Sequence, residues 1–451
     1  MSKVLILFFQ HPIHNNPENI ICYYESFANE LVKYGNDVLM INLALYKKDY
    51  WALKLVNEKS IIDKVKKFNP DMIVTYNNQV FQKLFDITDC PVLIFDADSS
   101  YLFPCKDFIK KYHHRYYMLT HYKNWENCYE ELGFSKNKIC SIHLATSIRN
   151  EQKEKTKNIS FIGTKFTHFI SDEVNDFIQD NQRNVYEALK EFWNTKNYDY
   201  RSILKKHCNN VSLSEIALHN LFDSRNYILS SILDLGLELY GESWTQYPDS
   251  NIALYSAFNP EPKFSLKHNQ DLYNSSKICL SISHPQTKGY AFPWRVYDIM
   301  ASGSMLISSY SELLDIQTKG FVNIPMYHSP YEARELCKKY LKEKSLREDI
   351  TFASNEFIDK HGRWDDNFEK LTELTGVKLL NTITNQDETP AVELLMPNKK
   401  STFFIDQQKK LNKKRRLILL FKFFISELPF ANYFYSNKKK NKLYQKIGRL
   451  K

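Results

Sequence analysis

Short apolar runs recur through the first 150 residues, and the stretches between them carry helical spacing. Val4–Phe9, Asp37–Ile41, Asp71–Thr75, Val92–Phe95, Tyr117–Thr120 and Lys138–Leu144 are predicted strands. Asn19–Tyr34 and Lys54–Lys67 are predicted helices, with Gly35 placed to close the first. Strands that are apolar throughout, separated by helices, belong to parallel sheets covered on both faces. The pattern restarts at Asn158–Gly163 after a polar, charged stretch over 147–157 that reads as a hinge. A long helical stretch over 171–234 follows, then strands at Leu237–Tyr240 and Ile278–Ile282 and a helix around Asn269–Ser275. Tyr331–Lys342 and Leu346–His361 read as closing helices. The expected fold is α/β: two doubly wound, Rossmann-like domains facing a cleft.

The most informative stretch is residues 284–303. It contains Pro293, which can open a helix, and Gly303, which can close one, and it leads into the apolar Met305, Leu306 and Ile307. Arg295 and Asp298 lie three apart inside that helix and share a face. At the mouth of a parallel sheet, such a pair suits a phosphorylated sugar ligand, the Arg for phosphate and the Asp for ribose hydroxyls. The plainer alternative is a solvated ion pair.

Composition narrows the classes. At 451 residues the chain exceeds one ordinary core. The boundaries read as 1–150, 151–375 and a basic, partly amphipathic tail over 376–451, of which 376–400 is expected to be flexible. Eight cysteines without a CxxC pair suggest neither a disulfide framework nor a zinc site, so no metal is expected. Eleven glycines are few, and no GxGxxG fingerprint occurs, so any phosphate must be met by helix N-termini and basic side chains. Residues 399–451 hold 16 of the 61 basic and 2 of the 52 acidic residues, leaving the body at net −5. That balance argues against a nucleic-acid partner for the body. The tail sets Lys and Arg beside Leu417–Phe421 and reads as an element drawn to an anionic membrane surface. Val4–Phe9 is too short for an export segment, so the expected location is the cytoplasm, peripheral at the inner membrane face.

Four pieces carry a family resemblance: Ile159-Ser-Phe-Ile-Gly163, Leu239-Tyr-Gly-Glu-Ser-Trp244, Leu272-Tyr-Asn-Ser-Ser-Lys-Ile-Cys-Leu280 and Phe292-Pro-Trp-Arg-Val-Tyr-Asp-Ile-Met-Ala-Ser-Gly303. In order and spacing, residues 158–375 resemble the donor-binding half of a GT-B glycosyltransferase, most similar to the CgeB-like, or group 1, branch. The resemblance implies a nucleotide-sugar donor as substrate, no cofactor, no obligatory metal, and a glycan or lipid-linked acceptor in bacterial surface polysaccharide synthesis. By position, it implies Arg295 at the donor diphosphate, Asp298 at the ribose, Gly163 at a sheet edge approached by the ligand, and Gly241 and Trp244 around the base. His284, in the loop before the key helix, could reach the phosphates.

One departure matters. The two glutamates of many retaining enzymes fall here on Tyr290 and Asp298, so a retaining mechanism loses its first carboxylate, and Tyr290 could still donate a hydrogen bond to the sugar. An inverting enzyme needs a general base in the first domain. The candidates are Asp96 and Asp98 after Val92–Phe95, and His11 and His14 after the first strand, with Asp96 preferred and His11 next. Two other readings stay open: a non-catalytic nucleotide- or glycan-binding assembly protein on the same scaffold, and a nucleotide-sugar epimerase.

Overall fold

The computed structural model describes residues 1–397 except 13–15, 57, 98–99, 101–102, 122–125, 165–171, 195–202, 204–205, 210–223, 242–243, 245–251, 284–290 and 383–389. His14, Asp98, His284, Tyr290 and the basic stretch 399–451 therefore lie outside the described residues.

Two parallel sheets organise the chain. The first contains β1 (Lys3–Phe8), β2 (Asp37–Asn42), β3 (Met72–Tyr76), β4 (Val92–Phe95), β5 (Tyr116–Thr120) and β6 (Ile139–Ser141). The second contains β7 (Lys157–Ile162), β8 (Leu237–Tyr240), β9 (Ser276–Ser281), β10 (Met305–Ser309) and β11 (Met326–Tyr327). A last strand, β12 (Val392–Leu394), completes the first sheet as β12-β2-β1-β3-β4-β5-β6, and the second runs β11-β10-β9-β7-β8. In each unit the opening strand is central, with the second strand on one side and the third on the other. The order therefore reverses beside β1 and beside β7. In open α/β sheets that reversal leaves a crevice outside the carboxyl ends of the strands.

The apolar runs explain this layout. On β1, Leu5 and Leu7 enter one core cluster while Val4, Ile6 and Phe8 enter another, so both faces are covered. Successive side chains point to opposite faces, and an apolar residue at every position is what a central strand requires. The first cluster runs on into the second unit, through Tyr297, Leu306 and Phe357. The expected hinge is fastened by both units. Arg363 donates to the carbonyls of Thr146 (3.1 Å) and Ile148 (2.6 Å), and the hydroxyls of Ser26 and Ser147 meet at 2.8 Å.

The structure departs from the expected boundaries at the C-terminal end. The helix Trp364–Thr375 buries Trp364, Phe368 and Leu371 against Val4, Ile6 and Phe27 of the first unit. Leu379 is fully buried there too, and β12 pairs in parallel with β2, Val392 opposite Val38. The described part of 376–400 is thus structured rather than loose. β12 is short, with Val392 and Glu393 exposed, because an edge strand makes its bonds through the backbone and buries little side chain. Other expected elements shorten: Lys138–Leu144 yields only the three residues of β6. The described part of 171–234 contains separate helices at Asp172–Asp180, Gln182–Asn194 and Ser224–Ser231. Among the described residues, no helix is long and apolar enough to cross a membrane.

Candidate functional site

A cavity of about 520 Å³ lies where the carboxyl ends of the central strands of both sheets meet. The first unit contributes Phe9, Gln10 and His11, just beyond β1, and Ile21–Tyr24 at the start of the Cys22–Lys33 helix. The second contributes Ile162–Thr164 after β7, Gly241 after β8, the loop Pro260–Phe264, and Pro293–Arg295 with Asp298. Residues from both halves of the chain therefore share one wall-to-wall site, at the two reversals of strand order.

The glycines are there for space. Gly241 has φ +122°, and a Cβ on it would stand 2.3 Å from the carbonyl oxygen of Gly163. Only glycine allows that backbone angle together with that approach. The same carbonyl accepts a hydrogen bond from Trp244 Nε1 at 2.7 Å. Trp244 is 4% exposed and packs in the core of the second unit, edge-on to Phe161. It does not line the cavity, which corrects its expected place at a base. Its indole is turned inward to satisfy its N–H on the Gly163 carbonyl, as a buried donor must.

Arg295 and Asp298 stand together on the helix Arg295–Met300 and both line the cavity. The Arg295 guanidinium carbon lies 5.6 Å from the Phe161 ring centroid, and Arg225 approaches the same ring at 5.5 Å. Arg225 also donates to the Thr164 carbonyl at the cavity edge. Arg295 Nη1 is buried and has no hydrogen-bond partner among the described residues. Burial lowers the Arg295 pKa, against the attraction of Tyr273 and Asp298. A buried N–H left unpaired by the protein is one a bound anion can satisfy. Asp298 accepts from Thr146 Oγ1 at 2.5 Å and faces Cys22 Sγ at 3.9 Å. Burial pushes its pKa up to about 6, opposed by the Thr146 hydrogen bond and the Arg295 charge. Asp298 thus joins the second unit to the hinge and to the first helix.

Asp96 is placed differently from expectation. It is 0% exposed and is not part of the cavity wall. Its Oδ2 accepts from Thr120 Oγ1 at 2.6 Å and from the Tyr129 hydroxyl, and Oδ1 faces His121 Nδ1 at 3.6 Å. Burial raises its pKa against these contacts, His121 foremost. A base must reach the proton it takes, and this carboxylate is sealed inside the first unit. His11 does line the cavity, exposed and edge-on to Phe9 with centroids 5.3 Å apart.

The sequence reading missed the loop Asn259-Pro-Glu-Pro-Lys-Phe264. Glu261 and Lys263 pair at 2.6 Å on the cavity wall, and Asn259 Oδ1 accepts from Glu261 N at 2.9 Å to shape the turn. The loop also touches the first unit. Cys22 N donates to the Phe264 carbonyl at 2.8 Å, and Leu266 N donates to Glu25 Oε2 at 2.7 Å. The two prolines around a charged residue, just after the helix Ile252–Ser256, were the available signal. Among the described residues, no group of three His, Cys, Asp or Glu side chains converges to hold a metal.

Residues 225–373 match the family model described as Glycosyl transferase-like. That span contains β8 to β10, the 259–264 loop and the Arg295–Asp298 helix, the larger part of the cavity's second-unit wall. Comparison with curated proteins gives no match. Among solved structures, sucrose-phosphate synthase from Thermosynechococcus elongatus is similar at 11% identity and TM-score 0.47, covering 83% of this chain and 98% of that one. Anabaena HepE in complex with UDP and glucose is similar at 9% identity and TM-score 0.43, covering 84% and 100%. AviGT4, a glycosyltransferase involved in avilamycin A biosynthesis, is similar at 10% identity and TM-score 0.45, covering 84% and 98%. The fold assignment itself rests on the strand order of the two sheets.

Proposed function

We propose that the protein is a glycosyltransferase of the GT-B type that takes a nucleotide-sugar donor into the cavity between its units. The observation that carries this reading is Arg295. It holds a buried N–H, unpaired among the described residues, at a cavity bounded by two close-packed glycines, within the span that matches a glycosyltransferase family model. In this reading Arg295 binds the donor diphosphate, a charge-assisted contact with no competing acceptor for Nη1 among the described residues. Asp298 takes the ribose hydroxyls, and Gly163 and Gly241 let the ligand approach backbone. His284 and Tyr290 keep their proposed roles at the phosphates and the sugar. With Asp96 enclosed, His11 is the general base that deprotonates the acceptor hydroxyl as it attacks the anomeric carbon, while the nucleoside diphosphate leaves. The reaction runs without a metal, the arginine meeting the charge that develops on the leaving group.

The finer proposal places the enzyme in the CgeB-like branch, acting on a glycan or lipid-linked acceptor in surface polysaccharide synthesis. The basic run over 399–451 holds it to the inner membrane face. Calorimetric titration with UDP, GDP, CDP and dTDP, followed by turnover of the matching sugar nucleotides, tests the core of this. One nucleoside diphosphate is expected to bind, and Arg295→Ala to weaken it roughly tenfold to a hundredfold, the loss of one or two charge-assisted hydrogen bonds. Absence of binding by all four, or an unchanged affinity in Arg295→Ala, refutes the proposal.

A further inference from the structure

The first unit carries an aromatic ladder that donor binding does not use. Phe9, on the cavity wall, meets Tyr50 at 5.2 Å and 76°, and Tyr50 meets Trp51 at 5.1 Å and 79°. The rings therefore lead from the cavity to the surface, ending on an indole that is 57% exposed. The loop under it is braced from inside. Lys47, 1% exposed, donates to Gln79 Oε1 at 3.0 Å, and Gln79 Nε2 donates to the Tyr50 carbonyl at 3.4 Å. Backbone bonds from Val56 to Tyr46 and from Gln82 to Leu53 close the loop, and Asp49 Oδ1 receives Trp51 N. A buried ammonium is costly to keep, and here it fixes the carbonyl next to the exposed ring. Rings held in place before binding lose little entropy when a ligand stacks on them.

We infer that Trp51 and Tyr50 form the acceptor face, and that the acceptor presents a pyranose ring to it. This rests on the transferase reading above. One flat indole has the footprint of one sugar ring, whose C–H face is apolar while its hydroxyls lie around the rim. Exposed polar residues stand near: Asp49, whose Oδ1 accepts from Trp51 N, its chain neighbour Lys48, and His11, edge-on to Phe9 on the cavity wall. A lipid chain would need a broader apolar patch than a single ring bordered by charges. A stacked nucleobase would bring a phosphate backbone, which the net −5 of residues 1–398 does not favour. The ladder also sets direction, with the acceptor arriving over Trp51 and Tyr50 and placing its reacting hydroxyl toward His11.

Saturation-transfer NMR on the full-length protein tests this with methyl β-D-glucopyranoside, methyl β-D-galactopyranoside and cellotriose as probes. At least one probe is expected to receive saturation on its ring C–H protons. Trp51→Ala should reduce that signal at least fivefold, and Trp51→Phe should retain part of it. No signal from any probe with the wild-type protein, or an equal signal from Trp51→Ala, overturns the inference. Binding of nucleoside diphosphates, measured on the same samples, separates the two readings. A sugar signal without nucleotide binding leaves the face and removes the transferase. Nucleotide binding without a sugar signal leaves the transferase and removes the face.

Discussion

Replacing Asp298 with asparagine is expected to stabilise the protein at neutral pH while weakening its hold on a nucleotide. The carboxylate is 8% exposed, and burial raises its pKa from 3.8 to about 6 even though Thr146 and Arg295 favour its charge. At about 1.4 kcal/mol for each pKa step, that interval makes the folded protein about 3 kcal/mol less stable with this group ionised than an unshifted carboxylate would. The sign follows from proton binding. Between about pH 4 and 6 the native state holds this proton and the unfolded state releases it, so the wild type loses stability as pH rises through that window. Asparagine has no charge to desolvate, still accepts the Thr146 hydroxyl, and does not titrate. Thermal melts of both proteins from pH 4.5 to 8 should therefore diverge with rising pH. The variant should gain a few degrees at pH 7.5, from roughly 1–3 kcal/mol, and nearly nothing at pH 4.5. Nucleoside diphosphate affinity should meanwhile fall roughly tenfold or more with the loss of a charged acceptor for ribose hydroxyls. A variant that is destabilised by the same amount at both ends of the range would show that the carboxylate is not paying a burial penalty, and the reasoning would fail.

Gly241→Ala should destabilise by about 2 kcal/mol or more, because the new Cβ meets the Gly163 carbonyl at 2.3 Å on a backbone with φ +122°. Chemical denaturation checks this. Trp244→Phe should cost about 1–2 kcal/mol, since the Gly163 carbonyl loses its buried donor, and its denaturation midpoint should fall accordingly. A chain ending at residue 375 should aggregate in size-exclusion chromatography, having lost Leu379 and the strand that covers β2. A chain ending at 398 should stay monodisperse, bind nucleoside diphosphates as the full chain does, and no longer sediment with anionic vesicles. Turnover in excess EDTA should match turnover without it.

The parallel α/β architecture was legible along the chain because burial on both faces demands apolar residues at every position. Val4–Phe8 shows this without reference to any other segment. The helix over Arg295–Met300 was legible for a similar local reason, a proline before it and a glycine after it, and that placed Arg295 and Asp298 on one face. What those residues meet was not local. Gly163 and Gly241 touch because Ile162 pairs with Tyr240 across β7 and β8, a register set by packing between segments far apart in the chain. The enclosure of Asp96 depends on Thr120, His121 and Tyr129, which only the β4–β5 pairing brings to it. Nor could spacing tell whether Trp244 faces ligand or core, since the carbonyl that decides it lies 81 residues away. The return of Trp364–Thr375 and β12 to the first sheet left almost no trace in periodicity. A three-residue edge strand is held by backbone hydrogen bonds, which every residue but proline can make, so composition carries no record of it. Side-chain pattern determined which segments are buried; the sheet order, which depends on long-range backbone pairing, decided which of them face one another across the cavity.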